Sequence, residues 1–195
     1  MPFRTARSLH GVRSGANQVL IRKAQGFALI DLIFVCGIIG VLSSIALPRL
    51  LLAQQSAGAA SAVGSMRAIN SSQLTYALTC GAGFYAPNLT TLGTAPIGSR
   101  ESFISADLGT SNTILKSGYI IQMAATPFGG APPSCNGLGA GLAGQGFSAA
   151  ADPSQPTNSR FFATNANNII YEHAASMFAV MPESGPPPVG QMIIH

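Results

Sequence analysis

The chain has 195 residues, of which 47% are hydrophobic and only 8% are charged. That length allows one compact domain and a membrane segment, but not two ordinary domains. The formal net charge is +4, yet residues 27–195 carry five basic residues and six acids, so their net charge is −1. Composition therefore disfavours a nucleic-acid-binding protein, because such proteins concentrate positive charge on the folded part.

The N-terminal stretch is basic and contains no acid before residue 27. Its charged residues are Arg4, Arg7, Arg13, Arg22 and Lys23. The next 21 residues, Phe27 to Leu47, are uncharged apart from Asp31. As a helix rising about 1.5 Å per residue, they would span roughly 31 Å, the hydrocarbon thickness of a bilayer. The positive-inside rule then predicts a cytoplasmic N-terminus and an external segment 49–195.

Two simpler interpretations of this stretch stay open. A cleavable secretory signal also has a basic start, but its apolar region is usually about 7–15 residues long. An uncleaved membrane anchor fits the length and the flanks, but it gives Asp31 no purpose.

Asp31 is the unusual residue of the apolar stretch. An ionised Asp in the middle of a membrane helix costs about 2.5–3.5 kcal/mol, so an intramembrane acid is by default a functional-site hypothesis. No Lys or Arg lies between Lys23 and Arg49, and Lys23 would be about 12 Å away along a helix. We therefore expect the partner of Asp31 to come from a second molecule or from a terminus created by cleavage.

The same stretch resembles the class III signal of type IV pilins and pseudopilins, and the resemblance lies in RKAQGFALIDLIFVCGIIGVLSSIALP. It implies a leader, residues 1–26, removed after Gly26 by a prepilin peptidase that also N-methylates Phe27. The family's carboxylate at the fifth mature position corresponds to Asp31, which would pair with a neighbour's N-terminal amine. The family's proline at position 22 corresponds to Pro48. The family usually has Glu where this chain has Asp31, which is one methylene shorter.

Segment 49–79 is predicted to be the amphipathic half of one long helix that covers residues 27–77, with a bend at Pro48 because proline lacks a backbone donor. Its apolar positions, which share roughly a 140° arc, are Ala59, Ala62, Val63, Met66, Ile69, Leu74 and Ala77. Its polar positions are Ser61, Ser65 and Ser72 on the opposite side, with Asn70 and Gln73 interrupting the stripe. The apolar face is expected to pack on a sheet.

The C-terminal part, residues 80–195, is expected to hold a connector and a small antiparallel sheet. The predicted strands are 118–125, a hairpin of 160–164 and 168–173 around the turn-prone NAN tripeptide, and a short strand around SMFAVM. The segments expected to be irregular are 80–117, 128–156 and the Pro-rich tail from Pro182. The predicted fold class is α+β: one long helix packed on three or four strands.

The three cysteines differ in predicted location. Cys36 lies in the apolar stretch, where a lone Cys acts as a small apolar residue. Cys80 and Cys135 would both lie in an oxidising compartment, so we predict a disulfide between them, with two free buried thiols as the alternative.

Metal, cofactor and catalytic sites are not expected. His173 and His195 are isolated, and no nucleophile–base–acid set or phosphate-binding loop is present. The major type II secretion pseudopilin has a calcium site of clustered acids late in its chain. Here the late acids Asp152, Glu172 and Glu183 are scattered, which argues against that subtype.

The resemblance implies a structural subunit of a type IV pilus-like filament, and not an enzyme. A minor pilin or type II secretion pseudopilin acting as a tip or binding component is the alternative, and an uncut membrane-anchored binding domain is a more remote one. The implied partners are other pilins, the prepilin peptidase, an inner-membrane assembly platform and, before assembly, lipid. The implied location is the bacterial inner membrane with a periplasmic C-terminus, then an extracellular pilus or a periplasmic pseudopilus.

Overall fold

The computed structural model describes residues 21–156 and 158–192, with side chains described from residue 29 onward. Most of the predicted leader, residues 1–26, and His195 lie outside the described residues. The chain divides into two compact units, Met1–Leu50 and Leu51–His195.

One long helix, α1, runs over Ile21–Thr79 and has 59 residues. The predicted long helix over 27–77 is confirmed, and α1 extends a few residues further at each end. At its C-terminal end the Gly83 N–H donates to the Ala77 carbonyl at 2.8 Å, and Ala82 adopts a positive φ of 49°. This closure satisfies a carbonyl that the helix itself leaves unpaired, and it ends α1.

In the unit Leu51–His195, α1 packs one face on the sheet. Most of the predicted apolar stripe is buried there, as shown by Ala59, Ala62, Met66, Ile69 and Ala77. Leu74 is an exception, because its side chain is 47% exposed. The prediction that Leu74 belongs to the core was wrong.

The polar side chains of this half-helix are more buried than predicted. Ser65 and Ser72 are buried rather than exposed, and the Ser65 hydroxyl donates to the Ser61 carbonyl one turn earlier at 3.0 Å. Asn70 and Gln73 lie in the packed face, where each finds a hydrogen-bond partner across the core. Burial of Ser65, Asn70 and Gln73 is tolerated because their side chains are hydrogen-bonded.

The segment 80–117, predicted as an irregular connector, contains two short helices, α2 (Leu89–Gly93) and α3 (Ala106–Gly109). The Asn88 side chain accepts from the Thr91 N–H at 3.0 Å and caps α2. The two helices meet at Gly93 and Gly109, where a Cβ on either residue would overlap the other's backbone. Glycine at both positions therefore allows this close approach.

The sheet is an antiparallel meander of six strands in the order β1-β2-β3-β4-β5-β6. The strands are β1 (Thr113–Lys116), β2 (Tyr119–Ala124), β3 (Ser148–Pro153), β4 (Phe161–Asn165), β5 (Ile170–His173) and β6 (Gln191–Met192). With the long helix packed on it, this sheet confirms the predicted α+β class.

Strands β2, β4 and β5 match the predictions, whereas β1, β3 and β6 lie in segments predicted to be irregular. The SMFAVM segment contains turns and no strand. Its Met177 and Met181 instead pack with Ala150, Ala163 and Tyr171 on the face of the sheet opposite α1. The sheet is thus covered on both faces, which explains why β3 reads as an unbroken Ala run rather than as an alternating pattern.

The predicted disulfide between Cys80 and Cys135 is present, with the two Cα atoms 4.9 Å apart. It ties the segment after α1 to the Gly/Pro-rich loop between β2 and β3, and a backbone bond from the Cys135 N–H to the Cys80 carbonyl runs beside it. Cys36 is free and exposed.

Replacement of Gln73 by leucine is expected to destabilise this unit by about 3 kcal/mol. Gln73 is fully buried, and its side-chain amide donates to the Ala86 carbonyl and accepts from the Ala86 N–H, each at 2.9 Å. Leucine would leave two buried backbone groups without partners, at about 1–3 kcal/mol each. Urea denaturation of the full chain in detergent measures the loss, and Gln54→Leu at an exposed position of the same helix is the control, expected to change stability by less than about 0.5 kcal/mol. Equal midpoints for the two variants would contradict the prediction.

Candidate assembly site

The described part of the first unit presents an apolar helical surface with no protein cover. Every side chain of residues 29–50 is exposed. The exposed large apolar side chains include Leu29, Ile33, Phe34, Val41, Leu42, Ile45 and Leu47. Among the described helices, α1 contains one stretch, starting at Leu29, that is long and apolar enough to cross a membrane, with a mean hydropathy of 2.4. A helix that is apolar all round requires lipid or other apolar helices around it.

Asp31 lies on this surface, and its side chain is exposed. It is the sole acid in the sequence of α1. Among the described side chains the ion pairs join Lys116 to Asp107 and Arg160 to Glu172, so none of them involves Asp31. A carboxylate on an apolar surface with no cation beside it can accept a cation from a second molecule, which is the role that the resemblance implies.

Arg49 is the second charged residue on this surface, and it too is exposed. Between residue 29 and residue 66, Asp31 and Arg49 are the sole charged residues of the sequence. The resemblance to type IV pilins assigns no role to Arg49. The signal that was available is its position, because it is the first basic residue after the apolar segment and has no acid near it in the sequence.

The predicted cleavage and methylation sites fall at the start of α1. The backbone of Gly26 and Phe27 is helical, but their side chains lie outside the described residues. Leader removal after Gly26 and methylation of Phe27 remain predictions.

Pro48 lies inside α1, which continues through it. Proline has no N–H to donate to the carbonyl of Ser44, four residues earlier. The Ser44 side chain donates to a different carbonyl, that of Val41, at 2.7 Å. The bend predicted at Pro48 remains a prediction.

In the second unit, charged side chains form surface pairs. Arg160 binds Glu172 through two guanidinium nitrogens, and this hydrogen bonding lowers the pKa of the Glu172 carboxyl. Hydrogen bonding from Lys116 likewise lowers the pKa of Asp107. Exposed pairs of this kind contribute roughly 0–1 kcal/mol each to stability.

The three acids near the end of the sequence, Asp152, Glu172 and Glu183, each have a different hydrogen-bond partner. Asp152 accepts from the Ser176 hydroxyl at 2.6 Å, and Glu183 accepts from the Thr126 hydroxyl at 2.7 Å, while Glu172 pairs with Arg160. Within residues 21–156 and 158–192, no group of three or more His, Cys, Asp or Glu side chains could hold a metal ion.

An open groove of about 470 Å³ lies in the second unit, between the first turns of its part of α1 and the β1–β2 turn. Its lining includes Gln54, Gln55, Gly58, Ser117, Tyr119 and Asn158. The Asn158 amide donates to the Tyr119 hydroxyl at 2.9 Å. Neutral amide and hydroxyl groups of this kind can hydrogen-bond an uncharged polar group, and the lining includes no carboxylate, imidazole or amine.

Of the predicted site residues, the structure brings Cys80 and Cys135 together in a disulfide. Asp31 and Pro48 both lie in α1, and Asp31 has no ion-pair partner among the described side chains. Comparison with protein-family models, with curated proteins and with solved structures gave no match to this chain.

Proposed function

We propose that this chain is a structural subunit of a type IV pilus-like filament, cut after Gly26 and assembled through its N-terminal helix. The observation that carries the proposal is the uncovered apolar surface of residues 29–50 on a helix that continues into a disulfide-bonded α+β head, Leu51–His195. Apolar surface of this extent requires lipid before assembly and neighbouring helices after it, because its exposure to water is unfavourable.

The charge on this surface supports assembly rather than simple anchoring. An anchor would be more stable in the membrane without Asp31, by up to about 2.5–3.5 kcal/mol, which is the cost of an ionised Asp at the bilayer centre. In a helical bundle the carboxylate can pair with the N-terminal amine of a neighbour, and the low dielectric strengthens that attraction. Asp31 thus favours association with a second chain over an isolated membrane helix.

The sequence motif supports the same function. Gly26, Phe27, Asp31 and Pro48 stand in the register of a class III signal, after a basic leader. The processing partners would be a prepilin peptidase and an inner-membrane assembly platform.

The disulfide supports a head outside the cytoplasm. Disulfides persist in oxidising compartments such as the bacterial periplasm and the cell exterior. The head would lie in the periplasm while the helix is in the inner membrane, and in the pilus or pseudopilus after assembly.

The open groove of the head favours a second candidate function. A minor pilin or type II secretion pseudopilin at a filament tip would use its head to bind another molecule, and neutral amide groups suit an uncharged polar partner. Abundance discriminates the two functions: a structural subunit dominates the sheared filament fraction, whereas a tip component is present in traces beside another pilin.

Mass spectrometry of the N-terminus, on chains purified from membranes and from sheared filaments, tests the proposal. We expect the chain to begin at Phe27 with one methyl group on its amine. A Gly26→Leu variant is the matched control, expected to keep its leader and to stay in the membrane. An intact Met1, or a new terminus beyond Pro48, in the wild-type chain would overturn the proposed function.

A further inference from the structure

The charges on the exposed apolar surface of α1 are one acid and one base. Asp31 and Arg49 are both exposed, and no other charged residue occurs from position 29 to position 66. If the helices of several copies form a bundle, both charges leave water. A buried charge left without its partner is strongly destabilising, so each of them needs an opposite charge from a neighbour.

Their spacing places both charges on one side of the helix. They are separated by 18 residues of sequence, which is about five full turns at 3.6 residues per turn and about 27 Å along the axis. Both residues belong to the unit Met1–Leu50.

We propose that Arg49 of one copy pairs with Asp31 of another, in parallel helices displaced by about 27 Å along their axes. This inference rests on the proposed function, since it requires α1 helices to pack in parallel. Each contact uses Asp31 of one chain and Arg49 of the other, at different heights along the helix, and it therefore repeats from copy to copy and generates an open filament rather than a closed dimer.

The side chains suit this pairing. Packed helices lie about 8–10 Å apart, and the long arginine side chain can reach across this separation to the short aspartate. Its planar guanidinium donates two parallel hydrogen bonds to a carboxylate. The pairing would also compensate for Asp31 being shorter than glutamate.

The Asp31 carboxylate can bind Arg49 of one neighbour and the N-terminal amine of another neighbour at the same time. Phe27 precedes Asp31 by four residues, so the amine would belong to a copy displaced by only about 6 Å. A carboxylate has two oxygens and can accept from both donors. Asp31 would then connect its own chain to two different neighbours.

The first test compares Arg49→Gln with Arg67→Gln, a matched change at another exposed arginine of α1. We expect Arg49→Gln to lower the yield of sheared filaments by about tenfold or more, because it leaves Asp31 short of a buried charge partner. Arg67→Gln should stay within about twofold of wild type, as is usual for a surface substitution. Arg49→Lys should recover part of the loss, and leader cleavage should be normal in all three variants.

The second test maps the displacement by cross-linking and keeps both charges. Val35 and Ala53 are exposed, are also 18 residues apart, and lie about one turn beyond Asp31 and Arg49. In a Cys36→Ser background, Val35→Cys with Ala53→Cys should give ladders of covalent multimers when filaments are treated with a short bifunctional maleimide. Val35→Cys with Ser44→Cys, which lie on opposite sides of the helix, is the control and should give few.

The outcomes separate the two proposals. The Asp31–Arg49 pairing alone would be overturned if wild type forms filaments and Arg49→Gln assembles normally. It would also be overturned if the control pair cross-links at least as strongly as the test pair. Wild-type chains that keep the leader and form no filaments would overturn both the pairing and the proposed function.

Discussion

Replacement of Asp31 by alanine is expected to abolish filaments while leaving the chain inserted in the membrane and cut after Gly26. Asp31 is the sole acid in the sequence of α1, so no other carboxylate of this helix can meet a neighbour's N-terminal amine or Arg49. The N-terminal amine and the Arg49 guanidinium would then be buried in the bundle without an acid, which costs several kcal/mol per contact. Insertion itself should improve, because an ionised acid in the hydrocarbon region is costly, by up to about 2.5–3.5 kcal/mol at the bilayer centre and less near the interface. Sheared filament yield and the N-terminal mass of the membrane fraction measure the two effects separately.

Two variants at the same position separate charge from size. Asp31→Asn keeps the shape without the charge and should behave like Asp31→Ala. Asp31→Glu keeps the charge, adds one methylene and should assemble at least as well as wild type. Normal filaments from Asp31→Ala would show that the carboxylate is not a docking charge.

Removal of the disulfide by Cys80→Ser with Cys135→Ser is expected to destabilise the head by about 4 kcal/mol, the loop-entropy value for a cross-link that closes a loop of this size. The bond spans 55 residues and includes α2, α3, β1 and β2. Without it the Gly/Pro-rich loop is held to the end of α1 by backbone contacts such as that from the Cys135 N–H to the Cys80 carbonyl. The unfolded chain gains the conformational freedom that the cross-link removes.

The unfolding measurement can be made on the full chain in detergent. The chain has four tyrosines, Tyr76, Tyr85, Tyr119 and Tyr171, and all of them lie in the unit Leu51–His195. The tyrosine band of the near-ultraviolet circular dichroism spectrum therefore reports the packing of the head, because the aromatic residues in the apolar part of α1 are phenylalanines. Cys36→Ser is the matched control and should leave the urea midpoint unchanged. A double serine variant with a wild-type midpoint would refute the expected stabilisation.

Much of the first unit was predictable because its determinants are local. A run of apolar residues as long as Phe27–Leu47 favours a helix whatever the rest of the chain does. In lipid the backbone N–H and C=O groups can hydrogen-bond only to each other, and a helix satisfies them. An acid inside such a run is conspicuous for the same reason. The sequence does not say how copies meet, because the partners of Asp31 and Arg49 belong to other chains.

The second unit was less predictable because long-range contacts override local pattern. The Ala-rich strand β3 shows no alternation, since α1 covers one of its faces and the segment with Met177 and Met181 covers the other. The SMFAVM segment is apolar enough to be a strand, but Met177 and Met181 are needed to cover the second face of the sheet. Strand β6 has two residues and exists through its pairing with β5.

The sequence by itself determined the long helix α1, the position of its lone acid and the cysteine pair available for a disulfide. These follow from composition, charge and compartment, which act at each residue or over a few helical turns. Only the tertiary structure decided which polar residues of α1 are buried. Gln73 and Asn70 break the apolar stripe in sequence, yet they belong to the packed face because Ala86 and Thr164 satisfy them across the core. Whether a polar side chain can be buried depends on a partner that the fold brings to it, and no local pattern contains that partner.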